Sequence, residues 1–457
     1  MSETDERRLE DAVLAPLVTT GRWFYVVVAV LLVVCGLGIY AYMRQLVYGL
    51  GVTGMNRPVY WGLYITNFVF FIGLSHAGTL ISAILRIVGA EWRRPFTRAA
   101  EAVTVFSLPF GAGSILIDLG RIDRVLNLLW FGRFQSPLLW DVTAVTLYLM
   151  SSVFFFYIAR VPDIALCRDR LTNVTPWRKT MYRVLALGWR GTPEEYRRLE
   201  KLMGGMAIFL TLLVVTVHTV VSWIFGMTIQ PGWHTAVIGP YFLLGAIFSG
   251  VAAVAVVAAL LRKVLHLQEY ITPKHFNYVG QFLVALTLGW FYFTFAEYIT
   301  TIYGQEPAHM RVFLAKLLQE FSWPFALMFL LCFVIPLPIL AIRRLRTITG
   351  VVVAGISINV GMWLERWTVI IPSMTRPRLP FGPGAYTPTW IEWAIMAACF
   401  AGMALLYMIF AKLFPILPIW EIKEGMEKAA ADHNQEPRAP DGQTTDLDSQ
   451  PSAVGGR

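Results

Sequence analysis

Ten stretches of almost unbroken apolar residues alternate with polar connections along this chain. They cover residues 23–43, 60–88, 100–118, 139–160, 203–226, 236–261, 277–302, 320–342, 349–371 and 390–413. About 20 mainly apolar residues are enough to cross a bilayer, and backbone groups in lipid must find their hydrogen bonds within the segment. The pattern therefore predicts an all-α polytopic membrane protein with about ten transmembrane helices.

Composition indicates that the bilayer is the main solvent. Hydrophobic residues make up 56% of the chain and charged residues only 15%, at a mean hydropathy of +0.58, whereas soluble domains carry about 25% charged residues. We divide the chain into an N-terminal segment (1–22), a transmembrane helical domain (23–415) and a C-terminal tail (416–457). The tail is polar and lacks periodic apolar positions, which predicts disorder.

The positive charge is concentrated on one side of the predicted bundle. An even number of spans puts both termini on one side, and four basic connections fall there too, at 91–98, 160–201, 262–274 and 343–346. Because Lys and Arg mark the cytoplasmic side, we expect both termini in the cytoplasm. Anionic membrane lipids account for the net charge of +9, so we expect no nucleic-acid partner.

Asp118 and Asp141 are the most informative polar residues. Asp118 ends the third apolar stretch and Asp141 opens the fourth, so both are expected at the extracytoplasmic side. Ionisable residues in membranes often mark proton or ligand paths, and partial desolvation makes a carboxylate a better proton acceptor at working pH. We assign both as catalytic bases of a quinol site. The alternatives stay open that Asp118 belongs to a solvated charge cluster with Arg121 and that the helix dipole favours Asp141.

Other polar and aromatic residues fall on the same side and favour one polar pocket there. We assign them to quinol binding together with the two aspartates: Arg121, Trp140, His234, Arg366 and Glu392. Any one of them alone would be ordinary, because interfacial Trp and charged residues anchor helices.

The sequence shows no grouped metal ligands. Its four cysteines are isolated from one another, whereas iron–sulfur and zinc sites need grouped thiolates. His76 and His218 both fall inside apolar stretches, but counting residues from the helix ends separates their depths by roughly 10 Å. Two axial ligands of one haem should lie near one level, so we expect neither haem nor an iron–sulfur cluster in this chain, and no bound metal.

Longer motifs carry a family resemblance. Residues 56–85 read Asn-Arg-Pro-Val-Tyr-Trp-Gly-Leu-Tyr-Ile-Thr-Asn-Phe-Val-Phe-Phe-Ile-Gly-Leu-Ser-His-Ala-Gly-Thr-Leu-Ile-Ser-Ala-Ile-Leu, and shorter motifs follow at 134–141, 188–191, 231–234, 361–366 and 386–393. Together they resemble the NrfD or polysulfide-reductase membrane-subunit family, and within it the quinol-oxidising membrane subunit of alternative complex III.

The resemblance implies two four-helix bundles with flanking helices in a bacterial inner membrane. It implies oxidation of menaquinol or ubiquinol near the extracytoplasmic face, with no prosthetic group in this chain. The implied partners are an iron–sulfur protein at that face, c-type haem subunits and a homologous membrane subunit. No extracytoplasmic loop is long enough to fold into a cofactor domain, which also favours a separate electron acceptor.

The resemblance further implies a proton route through buried polar residues. Its members in this chain would be His76, Thr79, Ser82, Thr104, Ser107, Ser114 and Glu297. Packing of a hydrogen-bonded His among small residues would explain His76 equally well, so proton translocation stays an open expectation.

Two positions depart from the pattern of the alternative complex III subunit. Asp118 stands where that pattern usually has a His, and Ile224 stands where it has an Asp. Three functions therefore remain open. They are a quinol-oxidising subunit of a respiratory or photosynthetic electron-transfer complex, a catalytically silent membrane anchor of such a complex, and a proton-coupled transporter.

Overall fold

The computed structural model describes residues 3–171, 173–379 and 382–423. Within them, ten helices are long and apolar enough to cross a membrane and no β-strand occurs, which confirms the predicted all-α polytopic fold. In chain order, spans 1 to 10 are Arg22–Tyr48, Leu63–Ile87, Arg94–Asp118, Pro137–Ile158, Pro193–Gly226, Ile238–Val264, Pro273–Gly304, Ser322–Ala341, Ile348–Thr375 and Trp390–Leu413. Each predicted apolar stretch corresponds to one span.

Because successive spans run in opposite directions, the bundle has two ends. The Asp118 end is the one at which span 3 finishes, and the Arg98 end is the one at which span 3 begins. Shorter helices lie at both ends. At the Arg98 end they are Glu3–Val18, Val161–Arg170 and Pro176–Leu185, and at the Asp118 end they are Asn127–Trp130 and Pro307–Leu317.

Capping residues set a helix start that hydrophobicity does not reveal. Span 5 begins at Pro193, well before its apolar stretch. The Thr192 hydroxyl accepts a hydrogen bond from the Glu195 N–H at 3.3 Å, and the Glu195 carboxylate accepts one from the Thr192 N–H at 3.0 Å. This reciprocal capping box satisfies two helix-terminal amides, so the helix extends beyond the apolar residues.

The spans pack as two four-helix bundles with two flanking helices, as predicted. Spans 2–5 form the first bundle, spans 6–9 form the second, and spans 1 and 10 pair along the first. Small residues bring helices close together, both between the two bundles and between the flanking helices. A Cβ at Gly250 of span 6 would come within 3.0 Å of Ala77 in span 2, and one at Gly38 of span 1 would overlap Ala398 in span 10. Such close approach favours helix association in lipid.

Span 2 changes its helical form part-way along. After the α-helix Leu63–Gly78 it continues as a π-helix, Thr79–Ile84, and ends in the short turn Leu85–Ile87. Span 8 contains a second π-helical stretch, Leu330–Val334. Such stretches often occur at functional sites, and the first one carries Thr79 and Ser82.

A buried ion network occupies the Arg98 end. Arg98 pairs with Glu101 at 3.2 Å and with Asp163 at 3.3 Å, and Arg160 pairs with Glu101 at 3.2 Å. All four side chains are at most 3% exposed. Burial raises the pKa of Asp163 to about 6 and lowers the pKa of Arg160 to about 9. Pairing compensates for part of this desolvation and ties spans 3 and 4 together.

The segment 416–423 packs against this network, unlike the disordered tail predicted from 416. Ile416, Leu417 and Ile422 are buried, and Glu421 pairs with Arg93 at 3.2 Å. The prediction rested on the polar composition of the whole tail, which conceals this short apolar run. The rest of the predicted tail, 424–457, lies outside the described residues.

Candidate functional site

Asp141 lies near the start of span 4 and is almost fully buried. Pro137 begins the helix, so Asp141 falls beyond the first turn, where the helix dipole acts only weakly. The residue is 2% exposed, and its Oδ1 atom has no hydrogen-bond partner in the described part of the chain. A buried carboxylate oxygen without a partner costs stability. It is therefore available to a ligand that donates a hydrogen bond.

Asp118 is the last residue of span 3 and is half-buried. Its Oδ1 atom also has no hydrogen-bond partner among the described residues. Glu392 lies within electrostatic range of Asp118, and Tyr64 lies within range of both carboxylates. The Tyr64 hydroxyl donates to Gln45 Oε1 at 2.6 Å. Asp118 therefore faces the flanking spans 1 and 10, on the side of the first bundle.

The two aspartates share one end of the bundle but not one electrostatic environment. Glu392 lies within electrostatic range of Asp118, whereas no charged group within the described residues lies in such range of Asp141. The sequence suggests a pair of acidic residues, and the structure gives the two carboxylates different surroundings at the same end of the bundle.

Glu392 joins two loops at the Asp118 end, one before span 2 and one before span 10, by hydrogen bonds. It is fully buried, and its carboxylate accepts hydrogen bonds from the Gly54 N–H at 2.7 Å, the Thr389 N–H at 2.9 Å and the Tyr386 hydroxyl. Tyr386 in turn accepts a bond from the Leu63 N–H at 2.8 Å. Burial and the neighbouring Glu392 raise the pKa of Tyr386, which keeps its hydroxyl a donor. Protein groups thus already use this carboxylate, and its contact with quinol stays a prediction.

Three further predicted quinol ligands form hydrogen bonds or ion pairs with groups close to them in sequence. Arg121 is exposed and pairs with Asp123 at 2.8 Å, which lowers the pKa of Asp123. The Trp140 indole donates to the Phe134 carbonyl at 2.5 Å. His234 is exposed and bonds a carbonyl of its own loop at 2.9 Å. Within the described residues, none of the three bonds to Asp118 or Asp141, so the structure spreads the predicted pocket over several places.

The depth estimate for His76 and His218 is wrong. Their ring centroids lie 4.5 Å apart in an edge-to-face arrangement, and both side chains are fully buried. His76 Nδ1 lies 2.7 Å from the Ile72 carbonyl oxygen. The Val214 backbone approaches His76 and the Phe242 backbone approaches His218, but His76 Nε2 and both ring nitrogens of His218 form no well-aligned hydrogen bond within the described residues. The two rings therefore form a polar pair in the interior of the first bundle.

Helix direction explains the error. Side chains on a helix tilt towards its N-terminus, and spans 2 and 5 run in opposite directions. His76 therefore leans towards the Asp118 end and His218 towards the Arg98 end, so the rings converge from different levels. Span 5 also meets span 2 mainly along the π-helical stretch, which shows that the helices cross rather than run side by side. The prediction that the chain binds no haem is not tested by this arrangement.

Hydroxyl groups continue from the histidine pair towards the Arg98 end. The Tyr148 ring lies 5.5 Å from that of His76, and its hydroxyl lies 3.0 Å from Thr79 Oγ1. Tyr148 and Thr104 both donate to the Ser75 carbonyl, at 2.8 and 2.5 Å. The structure thus brings His76, Thr79 and Thr104, three of the predicted proton-route residues, into one buried cluster.

Ser82 connects this region with the ion network. Its hydroxyl donates to Glu101 at 2.6 Å, and Glu101 pairs with Arg98 and Arg160. Ser107 and Ser114 instead donate to carbonyls of their own helix, at 3.1 and 2.7 Å. Such bonds satisfy the hydroxyls locally, so these two serines are peripheral to the cluster.

The second bundle holds a small polar cavity of about 30 Å³ near the Asp118 end. Glu297, Lys316 and Glu365 line it together with Tyr241 and Tyr298. Lys316 is only 9% exposed, and burial lowers its pKa although Glu297 and Glu365 oppose that shift. The predicted proton-route residue Glu297 therefore lies in the second bundle, apart from the other six.

Arg366 lies between this cavity and the histidine pair. It is 2% exposed, pairs with Glu365 at 3.0 Å and stacks over the Phe242 ring at 4.8 Å. Its guanidinium is within electrostatic range of both His76 and His218. We predicted that Arg366 binds quinol beside Asp118, but the structure places it between the bundles, facing the histidines. Glu297, Glu365 and Arg366 thus form a series of polar side chains between the cavity and the histidine pair, and we call this series, together with the histidines and the hydroxyl cluster, the polar line.

Comparison with known proteins places this arrangement in a family. The sequence profile described as "Polysulphide reductase, NrfD" matches residues 51–378, which is more than half of the chain. The chain belongs to the NrfD family. The match covers spans 2–9, and so both four-helix bundles, while spans 1 and 10 lie outside it. The narrower likeness to the quinol-oxidising protein of alternative complex III stays a prediction.

Three relatives are subunits of different redox complexes. The putative dimethyl sulfoxide reductase membrane subunit of Halobacterium salinarum is 29% identical over 258 residues, which cover 56% of this chain and 55% of that one. A selenate reductase subunit of Mesobacillus selenatarsenatis is 24% identical over 78% of this chain and 85% of its own. The Hdr-like menaquinol oxidoreductase integral membrane subunit of Archaeoglobus fulgidus is 24% identical over 89% and 96%. This NrfD-family chain thus spans about half of the first relative and most of the other two.

Several residues of the polar line escaped sequence reasoning. Tyr148 stands among apolar residues of span 4, and nothing in its sequence context distinguishes it from a packing aromatic. Glu101 and Lys316 are single charges beside apolar stretches, a signal that could have been followed because such charges are rare in membranes. His218 was visible in the sequence but was placed at the wrong depth.

Proposed function

We propose that this NrfD-family protein binds quinol at the Asp118 end and accepts its protons on Asp141 and Asp118. The observation that carries the proposal is that both carboxylates keep an unpartnered Oδ1 atom at the same end of the first bundle. Each quinol hydroxyl can donate a hydrogen bond. Such a donor is what the two unpartnered carboxylate oxygens lack. Arg121, Trp140 and Glu392 already bond other protein groups, so we assign them to positioning quinol rather than to accepting its protons.

The proposed step is a two-electron oxidation. Quinol loses two protons and two electrons and becomes quinone. One proton passes to Asp141 and one to Asp118, and both then leave to water at this end. The two electrons would leave one at a time to an electron-accepting partner protein docked there, for which an iron–sulfur protein is the expected class. General-base catalysis by positioned carboxylates accelerates such proton removal by about 10²–10⁴-fold.

Charge bias and a relative's name support the orientation and the substrate class. The basic connections lie at the Arg98 end, which favours the cytoplasm on that side and the extracytoplasmic face at Asp118. The Archaeoglobus relative is named as part of a menaquinol oxidoreductase, so menaquinol is the first quinol to test. A bacterial inner-membrane complex with haem-containing subunits would provide the route for the electrons.

The first test is quinol-driven electron transfer in the purified membrane complex. We expect Asp141→Asn and Asp118→Asn each to lower turnover by about 10²-fold or more, because each variant removes one proton acceptor. Asp123→Asn is the matched control, since it removes an exposed carboxylate from the same end. Its turnover should equal that of the wild type.

Assembly decides how the result is interpreted. If all variants assemble and all retain turnover, the carboxylates are not the site, and the chain is better described as a silent anchor. Solute uptake by the isolated protein without any redox partner would instead support the transporter alternative.

We further propose that the polar line couples quinol oxidation to proton translocation. It joins Glu297, Arg366, His218 and Tyr148 to Glu101 at the Arg98 end, through side chains that are buried or half-buried. Buried polar residues in membranes often mark proton routes. The ring nitrogens of the histidine pair that form no well-aligned hydrogen bond within the described residues provide hydrogen-bonding sites near the middle of this line.

The coupling is tested by counting protons per quinol in proteoliposomes. We expect His218→Phe to abolish proton movement beyond the two released by quinol itself, while quinol oxidation continues. Thr216→Val is the control, because Thr216 is an exposed residue of the same helix whose hydroxyl bonds its own backbone at 2.9 Å. Equal proton counts in all three proteins would contradict the proposed coupling.

A further inference from the structure

A basic groove opens at the Arg98 end of the second bundle, away from the residues discussed above. It has a volume of about 650 Å³ and lies where span 7 begins and where the turn after span 8 leads into span 9. Lys274, Arg343 and Arg346 line it together with two threonines, and no acidic residue is among its lining residues. A groove with three cations and no anion favours a negatively charged occupant.

Hydrogen bonds and packing fix the position of the Arg346 side chain at this groove. Its Nε donates to Asn277 Oδ1 and its Nη1 to the Leu340 carbonyl, both at 2.9 Å. A Cβ at Gly280 would come within 2.7 Å of Arg346 Cδ, so the glycine leaves room for the arginine stem. A fixed guanidinium loses less conformational entropy when it binds an oxyanion.

The start of span 9 adds hydrogen-bond donors. Residues Thr347, Ile348 and Thr349 line the groove, and Thr347 is the N-cap of a 28-residue helix. The Thr347 hydroxyl satisfies the Gly350 N–H at 3.1 Å, while Ile348 and Thr349, whose N–H groups have no partner within the helix, are among the residues that line the groove. Helix N-terminal amides and the positive end of the dipole suit a phosphate oxygen.

Aromatic residues lie beside the groove at the same level. Lys274 also lines a neighbouring depression with Trp92 and Tyr278, and its ammonium lies 6.0 Å from the centroid of the Tyr278 ring. The Trp92 and Tyr278 rings are 6.1 Å apart. Trp and Tyr at the ends of transmembrane helices are typical of the headgroup level of a bilayer.

We propose that this groove binds the phosphate headgroup of an anionic phospholipid. Lys274, Arg343 and Arg346 would surround the phosphate, the span 9 amides would bond its oxygens, and the Trp92–Tyr278 depression would hold the glycerol region. The site lies at helix ends beside lipid, where a phospholipid is the abundant phosphate. The proposal is independent of the quinol chemistry.

Binding of added lipid to the purified protein, after its native lipid has been removed, tests the site. Native mass spectrometry would follow its titration with phosphatidylglycerol or with zwitterionic phosphatidylcholine. We expect tight binding of phosphatidylglycerol only, and a loss of about tenfold or more in Lys274→Gln/Arg343→Gln, since each cation contributes to attraction. Both side chains are exposed, so the fold should survive their replacement.

A matched control removes the same charge from another basic element at the same end. Lys179→Gln/Arg183→Gln changes two exposed cations of the helix Pro176–Leu185 and should leave phosphatidylglycerol binding unchanged. Equal loss in both double variants would show a general charge effect and overturn the site. Equal retention of the two lipids by the wild type, or displacement of the lipid by millimolar inorganic phosphate, would also overturn it, the latter because the ligand would be a soluble anion.

Discussion

The two ends of the first bundle differ in whether their buried carboxylates are paired with arginine. At the Arg98 end, Glu101, Asp163 and Glu421 are each paired with arginine at 3.2–3.3 Å. At the Asp118 end, Asp118 and Asp141 form no ion pair within the described residues, and each keeps an oxygen atom without a hydrogen bond. Glu421 Oε1 also lacks a hydrogen bond, but its carboxylate is paired with Arg93 through Oε2. A buried charge costs several kcal/mol unless it is paired. Paired carboxylates therefore hold helices together, whereas unpaired ones cost stability and remain free for chemistry.

The largest expected effect is at the paired end. Arg98 is fully buried and contacts two carboxylates, so Arg98→Met leaves Asp163 without its ion-pair partner among the described residues and leaves Glu101 paired with Arg160 alone. We expect the free energy of unfolding to fall by about 3–5 kcal/mol. Denaturant unfolding of the purified protein in detergent would measure it.

Asp141→Asn is the matched change at the unpaired end. It removes a buried charge that has no partner, so the free energy of unfolding should stay within about 0.5 kcal/mol or rise. Comparable destabilisation by both variants would contradict the contrast between the ends.

A pH dependence of stability is the second expected effect. Burial raises the pKa of Asp163 from 3.8 to about 6, so the folded protein binds this proton more tightly than the unfolded chain does. The resulting stabilisation is fully present below the unfolded pKa and is lost as pH rises through about 6. The difference in stability between wild type and Asp163→Asn should fall between pH 4 and 7, by at most about 3 kcal/mol.

Asp169 provides a control with the opposite sign. A hydrogen bond from Arg168 lowers the pKa of Asp169, and the pair is largely exposed. Its small contribution should therefore be lost as pH falls rather than as it rises. A stability difference for Asp163→Asn that rises with pH would contradict the dominance of burial.

The fold was predictable because hydrophobicity alone decides what lies in lipid. All ten spans follow from apolar stretches, and the motif resemblance led to the two-bundle architecture. The hydrogen-bond partner of each polar side chain was not predictable, because such bonds often join residues that are far apart in sequence. Glu392 was predicted to bind quinol, yet its carboxylate already accepts a hydrogen bond from Gly54, which lies 338 positions away along the chain.

Side-chain direction limited the site predictions in a second way. Counting residues along a helix gives the level of a Cα atom, but the His76 and His218 rings lean towards each other from different levels. Arg366 was placed at the Asp118 end for the same reason, although its guanidinium turns to the histidines between the bundles. Tilt and rotation of each helix are set by its neighbours, so they cannot be read from one stretch of sequence.

The smallest expected effect separates location from pairing. Glu392 lies at the Asp118 end, yet its carboxylate is bonded, like those at the other end. In Glu392→Gln one amide oxygen remains to accept a hydrogen bond and the charge is lost, so the free energy of unfolding should fall by about 1–2 kcal/mol. Quinol turnover per assembled complex should stay within about threefold of the wild type, because the transition state loses no proton acceptor.

The contrast between Glu392→Gln and Asp118→Asn then identifies what matters. Loss of stability in the first and loss of turnover in the second would show that pairing, rather than position along the membrane normal, determines whether a carboxylate is structural or catalytic. If Glu392→Gln instead abolished turnover without changing stability, Glu392 would itself bind quinol, and its three hydrogen bonds would have to open when quinol enters.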